Sequence, residues 1–140
     1  MKQLMMLLLA LALVGTSQAF ALDLKGQLKA AQGKEGAEHE KIVIEASKAI
    51  KSMPRKMDGT WDEKQVSEVV ELMRAEKDQV YRLQMLEENA VHLKDNRKAL
   101  EGAIKKLPKP ESRALLRDLN STIRLLDSGQ DPDPRRQVPQ

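Results

Sequence analysis

Apolar residues recur at spacings of three and four residues through the middle of the chain. This heptad spacing is typical of an amphipathic or coiled helix. No glycine or proline occurs between Gly59 and Gly102, so nothing in the backbone chemistry of that stretch forces a break. Thr60, with Glu63 three residues later, forms a capping box, and two prolines follow the pattern. The pattern therefore predicts one long central helix over about 61–107.

We call the apolar stripe of this predicted helix the interaction seam. Its members are Val66, Val69, Met73, Glu76, Val80, Leu83, Leu86, Leu93, Arg97, Leu100, Ile104 and Leu107. The seam consists of two heptad runs that mirror each other, and an antiparallel partner would place Glu76 of the first opposite Arg97 of the second. The first half of the helix is acidic and the second basic, which agrees with that pairing. The seam predicts either packing under shorter helices of the same chain or an antiparallel homodimer through the long helix.

Two shorter helices flank the long one. Residues 37–53 carry one apolar face and end before a proline, and residues 110–128 carry another and end at Gly129. The glycines within residues 22–36 weaken a helix and predict a flexible lead-in that is frayed or partly helical. The proline-rich residues 129–140 lack an apolar pattern and predict a disordered tail.

The predicted fold is all-α, with one helical domain over residues 37–128 of the 140-residue chain. We expect an elongated, coiled-coil-like helical bundle in which the shorter helices lie antiparallel to the long one. The alternative is a compact four-helix bundle with a break near residues 87–89, because the mirrored seam also suits a hairpin.

Residues 1–21 have the three parts of a secretory signal peptide. A lysine supplies the positive region, residues 4–14 form an apolar run that is short for a bilayer span, and small residues precede cleavage sites after Ala19 or Ala21. We expect export to the periplasm. The alternatives are an extracellular protein, and an inner-membrane anchor if the signal is not cleaved.

The composition excludes several kinds of site. There is no cysteine, which rules out disulfides, thiol catalysis and zinc–thiolate centres. Aromatic residues make up 2% of the chain, too few to stack on sugars or single-stranded bases. We therefore expect no nucleic-acid partner.

Two histidines are the remaining candidates for catalysis or metal binding. His39 lies four residues after Glu35, and His92 lies four residues after Glu88 and three before Asp95. A transition-metal site usually needs three or four convergent ligands, and no nucleophile motif accompanies either ring. We expect both histidines to be exposed polar residues, and we expect no catalytic residue, metal or cofactor.

A basic cluster surrounds the turn after the long helix. We call it the basic patch, and its members are Lys105, Lys106, Lys109, Arg113 and Arg117. Cations at a helix end favour the helix dipole and solubility, and they also suit an acidic protein or anionic lipid headgroups. The patch predicts a weak contact with an anionic partner.

Long amphipathic helices with leucine and methionine faces bind other proteins by helix packing. The sequence therefore indicates an exported, non-enzymatic interaction protein of the chaperone, adaptor or assembly-factor type. The alternative is a self-associating coiled-coil scaffold or a secretion-apparatus component at the inner membrane. An enzyme is the least favoured interpretation, because no catalytic constellation is present.

Overall fold

The computed structural model describes residues 24–34 and 36–129, and every regular element in these ranges is an α-helix. Residues 24–31 form α1. The other helices are α2 (Ala37–Lys51), α3 (Glu63–Ala75), α4 (Gln79–Glu87), α5 (Ala90–Asp95), α6 (Arg97–Lys105) and α7 (Lys109–Ser128). The predicted signal peptide, its cleavage sites and the tail beyond Gly129 lie outside the described residues.

Polar contacts fix the directions of α3 and α6. The backbone N–H of Trp61, just before α3, donates to Oδ1 of Asn96, just before α6, at 2.7 Å. Near the other end of α3, Nε of Arg74 donates to Glu111 in the first turn of α7 at 2.7 Å. Since α7 follows α6 directly, α3 and α6 lie side by side and run in the same direction.

Helices α2, α4, α5 and α7 run the opposite way. Gln84 of α4 contacts Glu40 in the first turn of α2, and Asn89 contacts Ser47 further along α2. On the other side of α4, Arg82 pairs with Asp118 of α7. Further along, Lys94 of α5 pairs with Asp127 of α7. Helices α4 and α5 therefore run in the same direction beside α7, with a kink between them.

The described chain is therefore an up-and-down bundle. Helix α1 follows the direction of α3, because its Lys25 pairs with Glu71 and the adjacent Gln32 binds Glu76. We call the end that holds the turn at 76–78 the lower end of the bundle. The upper end holds the loop 52–62 and the reversal at Asn96.

The helical bundle is confirmed, and the helices predicted at 37–53 and 110–128 are present at Ala37–Lys51 and Lys109–Ser128. The prediction of one unbroken helix over 61–107 is wrong, because four helices occupy that stretch. The alternative break near 87–89 is present between α4 and α5, but it only kinks the chain. The reversals lie at 76–78 and at Asn96.

Short polar side chains, rather than glycine or proline, mark the boundaries of the helices between residues 61 and 97. Asp62 caps α3 in a capping box with Gln65, so that α3 starts later than Thr60 predicts. Asp78 caps α4 by accepting from the N–H of Val80 at 2.9 Å. The side-chain amide of Asn96 donates to the carbonyl of His92 at 2.8 Å. Asp and Asn side chains compete with the helical backbone in this way, and the tertiary contacts here decide in favour of a break.

Helix α1 occupies residues 24–31 of the flexible or partly helical lead-in predicted over 22–36, so its described part is more ordered than the glycines suggested. Leu24, Leu28 and Ala31 follow the helical spacing and are buried in the core. Gly26, which weakened the sequence prediction, lies on the exposed side of the helix. The free energy that Gly26 costs the helix is therefore smaller than the free energy gained by burying Leu24 and Leu28.

The core is aliphatic and runs along the bundle. Its largest fully buried side chains are Leu24, Leu28, Ile50, Leu72, Met73, Met85, Leu86, Leu93, Leu100, Ile104, Leu115 and Leu119. Trp61 is the buried aromatic residue at the upper end. Across the described ranges, no helix has both the length and the apolar character needed to cross a bilayer.

Replacing Gly26 with Ala tests whether α1 is a stable helix. We expect Gly26→Ala to raise the free energy of unfolding by about 0.5–1 kcal/mol, because alanine favours the helix and its Cβ would meet nothing within 4 Å. Gly33→Ala is the matched control, since Gly33 is also unobstructed but has a φ of 82°, and it should destabilise. Urea denaturation measures both. Equal small effects at the two positions would contradict a helical α1.

Candidate functional site

The structure places most of the interaction seam in the core of a single chain. The buried members are Val66, Val69, Met73, Glu76, Leu83, Leu86, Leu93, Leu100 and Ile104. Val80 and Leu107 are half-buried, and Arg97 is exposed. The seam is therefore covered by helices of the same chain, which was the first of the two outcomes that the sequence allowed.

The two seam charges do not meet within the chain. Glu76 lies at the lower end with no exposed surface, where it pairs with His39. Arg97 lies at the upper end and pairs with Glu101 and Asn120. Because α3 and α6 run in the same direction, the mirror pairing of Glu76 with Arg97 has no counterpart in the bundle.

The carboxylate of Glu76 collects hydrogen bonds from three parts of the chain. Its Oε2 accepts from Nε2 of His39 at 2.7 Å and from Nε2 of Gln32 at 3.2 Å. Its Oε1 accepts from the N–H of Asp78 at 3.2 Å. Oε1 of Gln32 in turn accepts from the N–H of Lys77 at 3.0 Å. The end of α1, the start of α2 and the turn after α3 are thus joined at one buried carboxylate.

The hydrogen bonds of His39 favour the charged form of its ring. Nδ1 faces the carbonyl oxygen of Lys34 at 2.9 Å and donates to it. Nε2 faces the Glu76 carboxyl group, and when it donates to the ionised carboxylate the ring is an imidazolium. Burial alone would lower the pKa of His39, but the hydrogen bonds to Glu76 and Lys34, with the charges of Glu76 and Asp78, raise it above the ordinary 6.5. The expectation of an exposed His39 is therefore wrong.

A second buried ion pair holds the same turn from the other side. Nε of Arg82 donates to the carbonyl oxygens of Met73 and Glu76 at 3.1 and 2.9 Å. Its Nη1 donates to Oδ2 of Asp118 on α7 at 2.5 Å. Arg82 thereby satisfies carbonyls at the end of α3 that no helical partner reaches. We call the two ion pairs, His39–Glu76 and Arg82–Asp118, the lower polar cluster.

Of the lower polar cluster, His39 lines a surface cleft of about 470 Å³, together with Lys34, Asp78 and Tyr81. The ring of Tyr81 stacks on that of His39, with 3.9 Å between centroids. In its charged state, the imidazole has no lone pair to act as a general base or as a metal ligand. The arrangement joins the end of α1, the start of α2 and the turn after α3.

His92 is half-buried rather than exposed. Its ring contacts the guanidinium of Arg55 and lies 6.4 Å from the ring of Trp61. Burial and then the charge of Arg55 lower the pKa of His92. In the part of the chain that the structure describes, no three His, Asp or Glu residues could together hold a metal ion.

An apolar groove of about 540 Å³ runs between α3 and α6. Its floor includes Val66 and Val70 of α3, and its α6 side carries Ala99, Gly102 and Ala103. We call this feature the α3–α6 groove. Val66 and Val70 are themselves buried, so the apolar surface that the groove presents to solvent comes from Ala99, Gly102 and Ala103. Sequence reasoning missed it, and the signal that could have revealed it was this set of small residues on one helix face.

The edges of the α3–α6 groove carry opposite charges. Glu63 and Glu71 lie on α3, Lys98 lies on α6, and Lys106 follows α6 directly as its C-cap. We call these the acidic edge and the basic edge. The groove therefore combines an apolar centre with polar borders, which is the usual composition of a protein-binding surface.

The basic patch is exposed at the lower end, as the sequence predicts. Nε of Arg117 lies 3.4 Å from Oδ1 of Asp118. The other four members make no ion pair within the described ranges. The patch therefore has unpaired positive charge at the end of α6 and the start of α7.

Comparison of the chain with protein-family models, curated proteins and solved structures found no significant match. The function is therefore argued from the groove, the basic patch and the predicted signal peptide. The lower polar cluster explains how the fold is held and does not point to a ligand.

Removing the imidazolium should destabilise the bundle. We expect His39→Gln to lower the free energy of unfolding by about 3 kcal/mol, because it leaves the Glu76 carboxylate buried without a cation. The double variant with Glu76→Gln should recover part of that loss. His92→Gln is the control and should cost less than about 1 kcal/mol. Urea denaturation of the unmodified chain and of the three variants measures their free energies of unfolding. Equal losses for the two histidine variants would exclude a charged buried pair.

The stability should fall as pH rises through the raised pKa of His39. A base with a raised pKa stabilises the fold in its charged form, so its contribution is complete below the ordinary 6.5 and is lost above the folded-state pKa. The lowered pKa of His92 acts in the opposite direction on acidification. Unfolding should therefore be measured from pH 6 to 9 in a His92→Gln chain. The slope should disappear when His39→Gln is added, and a slope that persists would belong to another group.

Proposed function

We propose that this chain is an exported, non-enzymatic helical interaction protein that binds a protein partner through the α3–α6 groove. The type of activity is that of a chaperone, adaptor or assembly factor. The observation that carries the proposal is the groove between α3 and α6, where the surface of Ala99, Gly102, Ala103 and Leu107 lies between charged residues on both edges. Burying such a surface against a partner helix would remove apolar area from water.

Export is supported by the signal-peptide pattern of residues 1–21. Cleavage after Ala19 or Ala21 would give a chain that begins at Phe20 or Leu22. The bundle needs no disulfide for its core, and a cysteine-free chain tolerates the oxidising periplasm without side reactions.

The basic patch supports a second, weaker contact. Its unpaired cations at the lower end suit anionic lipid headgroups, to which each lysine or arginine near the surface contributes about 1 kcal/mol. Such a contact would be sensitive to salt. It would orient the bundle at a surface without taking part in the groove.

The second candidate function is a self-associating scaffold at the inner membrane. The opposite charges on the two edges of the groove favour it. The interaction seam does not supply the surface for such an assembly, because most of its apolar members lie in the core. An antiparallel homodimer through the seam would need the bundle to open.

Photo-crosslinking in the native cell tests the proposal. A benzophenone side chain at Ala99, inside the groove, should give a crosslinked product, and the same side chain at Arg124, exposed on α7, should not. Sequencing the N-terminus of the crosslinked chain should give Phe20 or Leu22. No product at Ala99, or equal products at both positions, would contradict binding through the groove.

A further inference from the structure

We propose that the α3–α6 groove is filled by the α3–α6 groove of a second copy of this chain, in a parallel two-fold dimer. The inference rests on the proposed function, namely that the groove binds protein, and it names the partner. It differs from the antiparallel dimer that the seam suggested in the direction of the helices, and it shares only Val66 and Leu107 with the seam.

The two helices that border the groove are in register. The contact between Trp61 and Asn96 joins residues that are 35 apart in sequence, at the start of α3 and of α6. Because both helices run in the same direction with the same rise, the same separation places Glu63 level with Lys98. Further along, it places Ser67 level with Gly102 and Glu71 level with Lys106. The acidic and basic edges therefore match level by level.

Symmetry converts this register into complementarity between two copies. A two-fold axis along the groove places α3 of one copy over α6 of the other, in the same direction and at the same level. The acidic edge of each copy then faces the basic edge of the other. An axis across the groove would place α3 over α3 and α6 over α6, and like charges would meet. Charge complementarity therefore selects the parallel dimer.

The charges at the upper part of the groove are free to form this contact. Glu63 and Lys98 make no ion pair within the described ranges. Glu71 already binds Lys25 at 2.8 Å and Arg74 at 3.2 Å, so its contribution across the dimer is smaller. The pair of Glu63 with Lys98 of the second copy, formed twice by symmetry, is the main electrostatic contact.

The α6 side of the groove also permits close approach of a second copy. Gly102 is exposed, and a Cβ built on it meets nothing within 4 Å. The side chains of Ala99 and Ala103 also project little from this surface of α6. The open space is thus available to side chains from α3 of the second copy, among them Ser67 at the level of Gly102.

Cysteine crosslinking tests the geometry, since the chain has no cysteine of its own. Chains that carry Ser67→Cys and chains that carry Gly102→Cys, one set isotope-labelled, are mixed in the form that accumulates in cells and are treated with a short bis-maleimide. The parallel dimer predicts that the mixed product exceeds each self-product by about fivefold or more. An antiparallel dimer predicts self-products instead, which would overturn the inference. Cysteines placed at Lys29 and Arg124, on other faces, are the control.

Sedimentation equilibrium tests the charge pairing. A contact between two helices on each side is small, so the concentration series should reach about 1 mM. Glu63→Lys and Lys98→Glu alone should each raise the dimer dissociation constant by about tenfold, and the two together should restore it. Gly102→Leu should abolish the dimer while urea denaturation shows a fold at least as stable as the unmodified chain, and Gly26→Leu should leave dimerisation unchanged.

The failures of the inference and of the proposed function are distinguishable. A chain that is monomeric at every concentration, but whose Ala99 photo-crosslinker captures a different protein, overturns the second-copy inference and supports groove binding. A monomer with no product at Ala99 overturns both. A dimer that Gly102→Leu does not affect places the interface elsewhere and overturns the inference.

Discussion

The buried ion pair between His39 and Glu76 is the constraint on which the rest of the bundle depends. A carboxylate without solvent exposure needs a cation and several donors, and only chain segments that meet at the lower end can supply them. Meeting this need brings the end of α1, the start of α2 and the turn after α3 to one point. Arg82 then anchors the same turn to α7 through Asp118. The up-and-down arrangement follows, because α3 must end and α4 must turn back where Glu76 is satisfied.

The apolar pattern was sufficient to predict the fold class and insufficient to predict the path of the chain. It located the helices at 37–53 and 110–128 because each had a strong break after it. It did not locate the reversals at 76–78 and at Asn96, because the residues there are compatible with a helix and the deciding contacts come from elsewhere. Glu76 is the clearest case. A charge at a seam position suggested a partner of opposite charge in the same pattern, whereas the partner is a histidine from α2.

The candidate surface was even less visible in the sequence. A heptad pattern identifies side chains that need to be buried, and these became the core. The α3–α6 groove exists because Ala99, Gly102 and Ala103 have small side chains. It also requires α3 and α6 to be neighbours, and the chain brings them together only after two reversals. The basic patch was predicted because it needs no long-range contact: its members are close in sequence and at a helix end. Local charge can be read from a sequence, whereas a groove requires the topology.

The 20 residues of α7 also set the distance between the basic patch and the other end of the bundle. At about 1.5 Å per residue, the helix separates its first turn, in the basic patch, from Gly129 by about 30 Å. Gly129 therefore lies at the end of the bundle opposite to the basic patch. A bundle held to a surface at Gly129 would present the basic patch outward, toward the solution.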